Sequence, residues 1–216
     1  MNHLRNLILF VFLLCGLDSF SQLNHKHFIL MGRIDLSEEN YSDAMYNFNK
    51  AIIAKPKDFE GYFLRGIAKY SLNDYIGAVN DFTKTLELHP LYVRAYHYRG
   101  VANDRLGNYA DAKKDYSKAI ALDPFDAELH IAMGSTKMHL NEFENAISSF
   151  DTAIIINPNN ANAYINRGIA KRYLERLDDA IADLNKAVYY DFFNIEALVR
   201  RGLIHMEREQ YQDAML

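Results

Sequence analysis

An all-α solenoid built from antiparallel helix pairs is the fold class this sequence predicts, and three recurrences predict it. The chain's four prolines, Pro56, Pro90, Pro124 and Pro158, stand 34 residues apart. Gly32, Gly66, Gly100, Gly134, Gly168 and Gly202 keep the same period of 34, as do Ala44, Ala78, Ala112, Ala146, Ala180 and Ala214. Such a period marks stacked supersecondary units, each too small to bury its own apolar face. The frames run 25–58, 59–92, 93–126, 127–160 and 161–194, followed by a partial sixth over 195–216. With 50% hydrophobic and 24% charged residues, the composition is that of a folded chain. A net charge of −4 without clusters of Lys and Arg excludes nucleic acid as the main partner, because phosphate binding needs concentrated positive charge.

Ahead of the array, "MNHLRNLILFVFLLCGLDSFSQ" has a different character. Arg5 precedes an unbroken apolar run from Leu7 to Leu14. That run is shorter than the ~20 residues a membrane-spanning helix needs, and it suits the apolar region of a secretory leader. Ser19 and Ser21 supply small residues for a signal peptidase, so residues 1–21 read as a signal peptide cleaved before Gln22. Cys15, the chain's one cysteine, leaves open a lipid anchor, against which Leu14 counts because a small residue is expected there. An uncleaved leader is the other alternative. A mature chain lacking cysteine tolerates an oxidising compartment but draws no stability from disulfides.

Within a frame the apolar residues recur at three- and four-residue steps, as Tyr96, Gly100, Ala112, Tyr116, Ala119 and Ile120 do in the third. The first helix of that frame is predicted from about Val93 to Leu106. "GNY" then turns the chain into a second helix ending near Leu122. Pro124 cannot continue that helix, since it lacks an N–H and biases the preceding residue towards extended backbone. The glycine costs about 1 kcal/mol relative to alanine inside a helix, so its recurrence demands a packing reason. The expected reason is close approach of the two helices, with the recurrent alanine as the opposing small residue.

These residues resemble the tetratricopeptide repeat family over the whole array. Tyr62, Tyr96 and Tyr164 on the first helices, the glycine, then Tyr75, Tyr109 and Phe143, the alanine, then Phe82, Tyr116 and Phe150, and the closing proline all fit that pattern. Departures are His130 for the bulky residue, Thr85 for an alanine and Phe192 for the fifth proline. The resemblance implies a right-handed superhelix whose first helices line a concave surface that holds a peptide.

A charged pair travels with the repeat. Arg65, Arg99, Arg167 and Arg201 precede their glycines, and Asp81, Asp115 and Asp183 follow the first three at 16 residues. The repeats with Met31 and Met133 instead carry Asn47 and Ser149. Joint presence and absence predict structural pairs within repeats, Arg65 with Asp81, Arg99 with Asp115 and Arg167 with Asp183, which fix register.

No phosphate loop, HExxH, CxxC or nucleophile elbow occurs, so no catalytic residue is assigned and no cofactor, metal or small-molecule substrate is expected. His25 and His27 form the one close histidine pair after the leader and lack a third ligand. Function then falls to the concave surface. Phe63, Tyr70, Arg94, His97, Asp104, Arg105, Met138, His139, Arg172 and Tyr173 are the expected partner-binding residues. Ile29, Arg33, Ile131, Ile165 and Val199 face the same way, the aliphatic ones as packing for neighbouring repeats.

The resulting expectation is a non-enzymatic scaffold, exported to the periplasm or cell envelope, that binds a protein or peptide segment in its groove. The alternative is a front part or accessory subunit of an envelope enzyme or assembly whose active portion lies elsewhere. "EREQYQDAML" is expected to open the second helix of the sixth repeat, which leaves Leu198 and Gly202 without a full-length partner helix. Two readings follow for that end, the front of a longer protein or pairing with a second copy.

Overall fold

A computed structural model of the chain describes residues 24–214; the leader, Cys15 and the cleavage site before Gln22 lie outside the described residues. Among the described residues there are eleven helices and no strand. They are α1 (24–37), α2 (Tyr41–Ala54), α3 (Phe59–Ser71), α4 (Tyr75–Leu88), α5 (Val93–Arg105), α6 (Tyr109–Leu122), α7 (Ala127–His139), α8 (Phe143–Ile156), α9 (Ala161–Tyr173), α10 (Leu177–Tyr190) and α11 (Ile195–Ala214). Each of the five complete frames therefore holds two helices. The chain divides into two compact units, one ending at Ala102 and the other beginning at Asn103. Within each unit, helices pack on their sequence neighbours, as α2 on α3 and α3 on α4, or α7 on α8 and α8 on α9. No described helix is long and apolar enough to cross a membrane.

Two further 34-residue periods set the helix ends. The turn inside each frame places one residue in the left-handed region: Glu39, Asn73, Gly107, Asn141 and Glu175, with φ between 58° and 76°. Glycine and asparagine adopt that conformation most readily, which three of the five exploit. The junction between frames pairs a helix breaker with a helix starter. Two residues after Pro56, Pro124 and Pro158, the side chains of Asp58, Asp126 and Asn160 accept from Glu60, Glu128 and Ala163 backbone N–H at 3.0, 2.9 and 3.1 Å. Asn194 caps α11 in the same way, accepting from Ala197 N at 3.0 Å, although Phe192 stands where the proline would be. Side-chain capping satisfies an orphan N–H and is worth about 1 kcal/mol.

At three of the recurrent glycines the nearest neighbour is an aromatic ring and not the opposing alanine. A Cβ on Gly32 would lie 2.5 Å from Phe48 Cε1, on Gly66 2.7 Å from Phe82 Cε1 and on Gly134 2.5 Å from Phe150 Cε1. The ring sixteen residues on sits over the bare glycine, and in these three frames the expectation of small against small is corrected on that ground. The alanines serve the same interface from the side: Ala44, Ala78, Ala112, Ala146 and Ala180 are fully buried. In the fifth frame Leu184 replaces the ring, and a Cβ on Gly168 would lie 3.2 Å from the Ala180 carbonyl oxygen and 3.3 Å from Leu184 Cγ, so there the recurrent alanine does oppose the glycine.

Two departures from the repeat pattern have local explanations. His130 bonds through Nε2 to the Pro124 carbonyl at 3.0 Å, as the Tyr62 hydroxyl does to that of Pro56 at 3.3 Å. Thr85 is fully buried, and its hydroxyl donates to the Asp81 carbonyl at 2.9 Å, so its polar atom is satisfied. The sixth frame differs from expectation outright. No turn forms near Glu209, and α11 continues unbroken to Ala214.

Candidate functional site

In the second and fifth frames, cations of the first helix meet carboxylates of the second. Arg65 donates to Asp81 through Nε at 2.8 Å and Nη2 at 2.6 Å, while Nη1 reaches back to Asn49 at 2.6 Å. Arg167 repeats this with Asp183 at 2.9 and 2.6 Å and with Asp151 at 2.5 Å. Each guanidinium thus ties the second helix of its own frame to that of the frame before. Lys69 and Lys171 add a second cation, 2.8 Å from Asp81 and 2.7 Å from Asp183. The Asp81 hydrogen bond raises the Arg65 pKa. Burial lowers that of Arg167, but Asp183 and Asp151 outweigh it and hold the group firmly charged. Arg99 belongs to the first unit and Asp115 to the second, so their pairing stays an expectation.

In the second unit, the first helices α7, α9 and α11 line one side of a groove of about 520 Å³. Its lining combines Met138, Ile169 and Tyr173 with Ser135, Asn141, Asn166 and Arg200. Two flat aromatic stacks support it. Tyr109, opening α6, lies 4.6 Å from the His139 ring at 8°, and Phe143, opening α8, lies 4.8 Å from Tyr173 at 8°. Both pairs are 30 residues apart in sequence, so each stack joins the start of one frame's second helix to the end of the next frame's first. No carboxylate lines the groove, and Arg200 is held by Glu196 one turn earlier at 2.8 Å. Side-chain amides offer both donor and acceptor to a peptide backbone, while the apolar walls accept side chains.

Of the ten residues expected on the binding surface, the structure brings three, Met138, His139 and Tyr173, to this groove. Arg172 lines a smaller hollow beside Arg200 and Leu203 and pairs with Glu207 at 2.6 Å. Asp104 braces the fold, accepting from the Tyr116 hydroxyl at 2.8 Å and Thr136 at 3.0 Å, and burial raises its pKa against those bonds. Arg105 is exposed.

The other four belong to the first unit. Phe63 is corrected: at 2% exposure it is a core residue, ringed by Phe82, Tyr92 and Tyr98. Arg94 is exposed and lies over the Phe63 ring at 5.0 Å. His97 sits half-buried beside Tyr98, and Tyr70 packs against the core and Tyr75. Phe63 failed as a surface residue because its column is the packing face; Ile29, Ile131 and Ile165 in the same column are buried too.

Sequence reasoning missed Ser135 and Ile169, which directly follow their glycines, and Asn166 and Arg200, which stand two residues before theirs. The glycine register was the available signal. His25 is buried, with Nδ1 bonded to the Ala51 carbonyl at 3.0 Å and Nε2 3.3 Å from Asp58, which makes it a structural brace. Among the described residues no cluster of His, Cys, Asp and Glu has the arrangement of a metal site.

Stacked helical hairpins with an open groove along their first helices define a repeat-built, all-α solenoid. Residues 93–126 and 131–194 match tetratricopeptide repeat models, and the chain belongs to the tetratricopeptide repeat proteins. Among solved structures, it is similar to a MamA fragment from Desulfovibrio magneticus RS-1, with TM-score 0.75 and 20% identity over 80% of this chain and 97% of that one. It is also similar to YrrB, described as a TPR protein with an unusual peptide-binding site, with TM-score 0.70 and 20% identity over 81% and 90%. A third is Pseudomonas aeruginosa pilF, with TM-score 0.74 and 14% identity over 88% and 87%. At these identities the likeness is one of fold. No curated protein sequence matches the chain significantly.

Proposed function

We propose that this protein is a non-enzymatic interaction scaffold that binds an extended segment of a partner protein in the groove of α7, α9 and α11. The observation that carries the reading is the groove itself, an open channel of about 520 Å³ with amides along its walls and Tyr173 58% exposed at its edge. A segment with one or two bulky side chains and an unremarkable charge suits it better than an acidic tail. The peptide-binding site of the YrrB structure supports the same use of this fold. Selection of peptides displayed at random against the purified chain, followed by anisotropy on the best binder, tests it. Tyr173→Ala removes a large, already ordered contact and is expected to weaken binding at least tenfold, in the manner of an interface anchor, while loss of its stack on Phe143 lowers stability by only about 1 kcal/mol and leaves the chain folded. Equal affinity for both forms rejects this groove as the site.

Export to the cell envelope is part of the proposal and rests on the apolar run Leu7–Leu14 followed by Ser19 and Ser21. Mass spectrometry of the protein from its native cell is expected to give an N-terminus at Gln22. A chain that keeps Met1, or carries lipid on Cys15, contradicts it.

A further inference from the structure

In the second unit each helix packs against its sequence neighbours, so the junctions between frames share one edge and the turns inside frames share the other. The two edges differ in chemistry. On the turn side the large apolar residues, Leu106, Leu140 and Leu174, are part-buried. On the junction side Phe125, Ile155, Tyr189, Phe192 and Phe193 are 79, 79, 78, 71 and 85% exposed. One exposed apolar side chain is ordinary, but a row of five along one edge is more than the fold requires. Register makes the row: Phe125 and Phe193 each follow the closing position of a frame, while Ile155 and Tyr189 occupy equivalent places in the last turns of α8 and α10. Phe125 and Ile155 both have complete frames after them and stay bare, so stacking a further frame does not cover this edge.

Charge along the row is mostly of one sign. Residues 122–128, 156–162 and 189–196 contain Asp123, Asp126, Glu128, Asp191 and Glu196 and no Lys, Arg or His. Asp126, Glu128 and Asp191 accept from neutral donors, the Glu128 backbone N–H, Asn160 Nδ2 and Asn194 Nδ2, each at 2.9 Å. Glu196 meets a cation, Arg200, at 2.7 Å. Lys118 and Lys186 stand one turn further back on α6 and α10, which leaves the edge net negative. We propose that this edge docks an amphipathic helix of another protein whose apolar face is bordered by Lys and Arg. A helix fits because it satisfies its own backbone hydrogen bonds and asks only for apolar contact and matching charge. Its apolar side chains cover Phe125, Ile155 and the cluster of Tyr189, Phe192 and Phe193, and its cations face Asp123, Asp126 and Asp191. The same carboxylates disfavour other occupants, since a second copy would bring like charges together and anionic lipid headgroups would meet aspartates. The groove proposed for extended segments shares no lining residue with this edge.

The probe is a labelled peptide of leucine and lysine, about 18 residues and ~27 Å long as a helix, with leucines on one face and lysines along both borders. A hydrocarbon staple on the face away from the leucines holds it helical, because a free helix of this length is marginal in water. Titrated with the whole 216-residue chain, it is expected to bind at least tenfold more tightly than the same peptide with glutamate for lysine. Phe125→Ser and Phe193→Ser should each weaken binding about tenfold. Asp123→Asn combined with Asp191→Asn should flatten the dependence of binding on salt. All four side chains are exposed, so these variants fold. Tyr173→Ala in the groove should leave the affinity unchanged, which separates failure of this edge from failure of the groove. No binding, equal affinity for the glutamate peptide, a salt dependence unmoved by the asparagine pair, or binding indifferent to both serine variants overturns the proposal. So does a dimer in sedimentation that Phe193→Ser abolishes, which would make a second copy the occupant. Flotation of the chain with vesicles of phosphatidylcholine and phosphatidylglycerol, lost in both serine variants, would make a bilayer the occupant and overturn it as well.

Discussion

Arg167, Lys171 and Asp183 form a cluster in which the carboxylate side chain is 5% exposed and the cations 18 and 13%. Removing the carboxylate leaves two cations facing each other in a half-dry interface. Asp183→Ala is therefore expected to cost about 3 kcal/mol, the low end of the range for breaking a buried pair, read from urea denaturation. A cost under ~0.5 kcal/mol, that of an ordinary surface ion pair, would show that the cluster is solvated after all. Asp104 has the opposite sign. Its pKa is raised by burial, so the folded state binds its proton more tightly than the unfolded chain does. Its contribution is thus lost as pH rises through the raised pKa, starting from the ordinary carboxylate value near 4. Asp104→Asn removes that penalty, and the stability difference between variant and wild type should grow from acid to neutral pH. A difference that shrinks over that interval rejects the argument. At this scale the arginine and aspartate were legible as a correlated pair. Lys69 and Lys171 were not, because Asn103 stands in their register and breaks the recurrence.

In three frames the helices meet through a glycine and a ring, and Gly134 and Gly202 give the contrast that tests it. Gly134→Ala drives a Cβ into Phe150 Cε1, 2.5 Å away, in a fully buried interface. The ring cannot swing aside without opening the hairpin, so the substitution should cost about 1–3 kcal/mol, as overpacking does. Gly202→Ala meets nothing within 4 Å and is expected to stabilise α11 by up to ~1 kcal/mol through helix propensity alone. Thermal melts of both variants check the pair, and equal shifts would mean that propensity, not contact, governs these positions. The hairpin itself was readable from periodicity, but the partner of the glycine was not. Spacing locates a residue on a helix face, and only coordinates reveal that a ring sixteen residues away lies along the backbone. The course of α11 escaped for a related reason. Each complete frame turns at a left-handed residue, and Glu39 and Glu175 fill that place in two of them, so Glu209 in the same register gave no sign that the helix would run on.

For the whole molecule, the pattern of contacts predicts how stability is distributed. Within each unit a helix touches its neighbours along the chain, with α7 on α9 the one longer step among the main packings. Stability of such an array approximates a sum of repeat terms and nearest-neighbour interfaces, without a single core that every residue shares. Fold class was legible because the same local solution is written five times, and averaging over frames suppresses the exceptions at His130, Thr85 and Phe192. The groove was only partly legible because its lining comes from positions that vary between frames, and a varying position carries no period. Locality is open to a direct test. Gly66→Ala places a Cβ 2.7 Å from Phe82 Cε1 and should weaken the α3–α4 hairpin and its contact with α2. Amide hydrogen exchange followed by mass spectrometry is expected to show faster exchange across α2, α3 and α4, by about tenfold for each 1.4 kcal/mol lost, while α8, α9 and α10 retain their wild-type rates. A loss of protection spread evenly over both sets would mean that the chain opens in one global step, and the description of its stability as a sum of neighbouring repeats would be wrong.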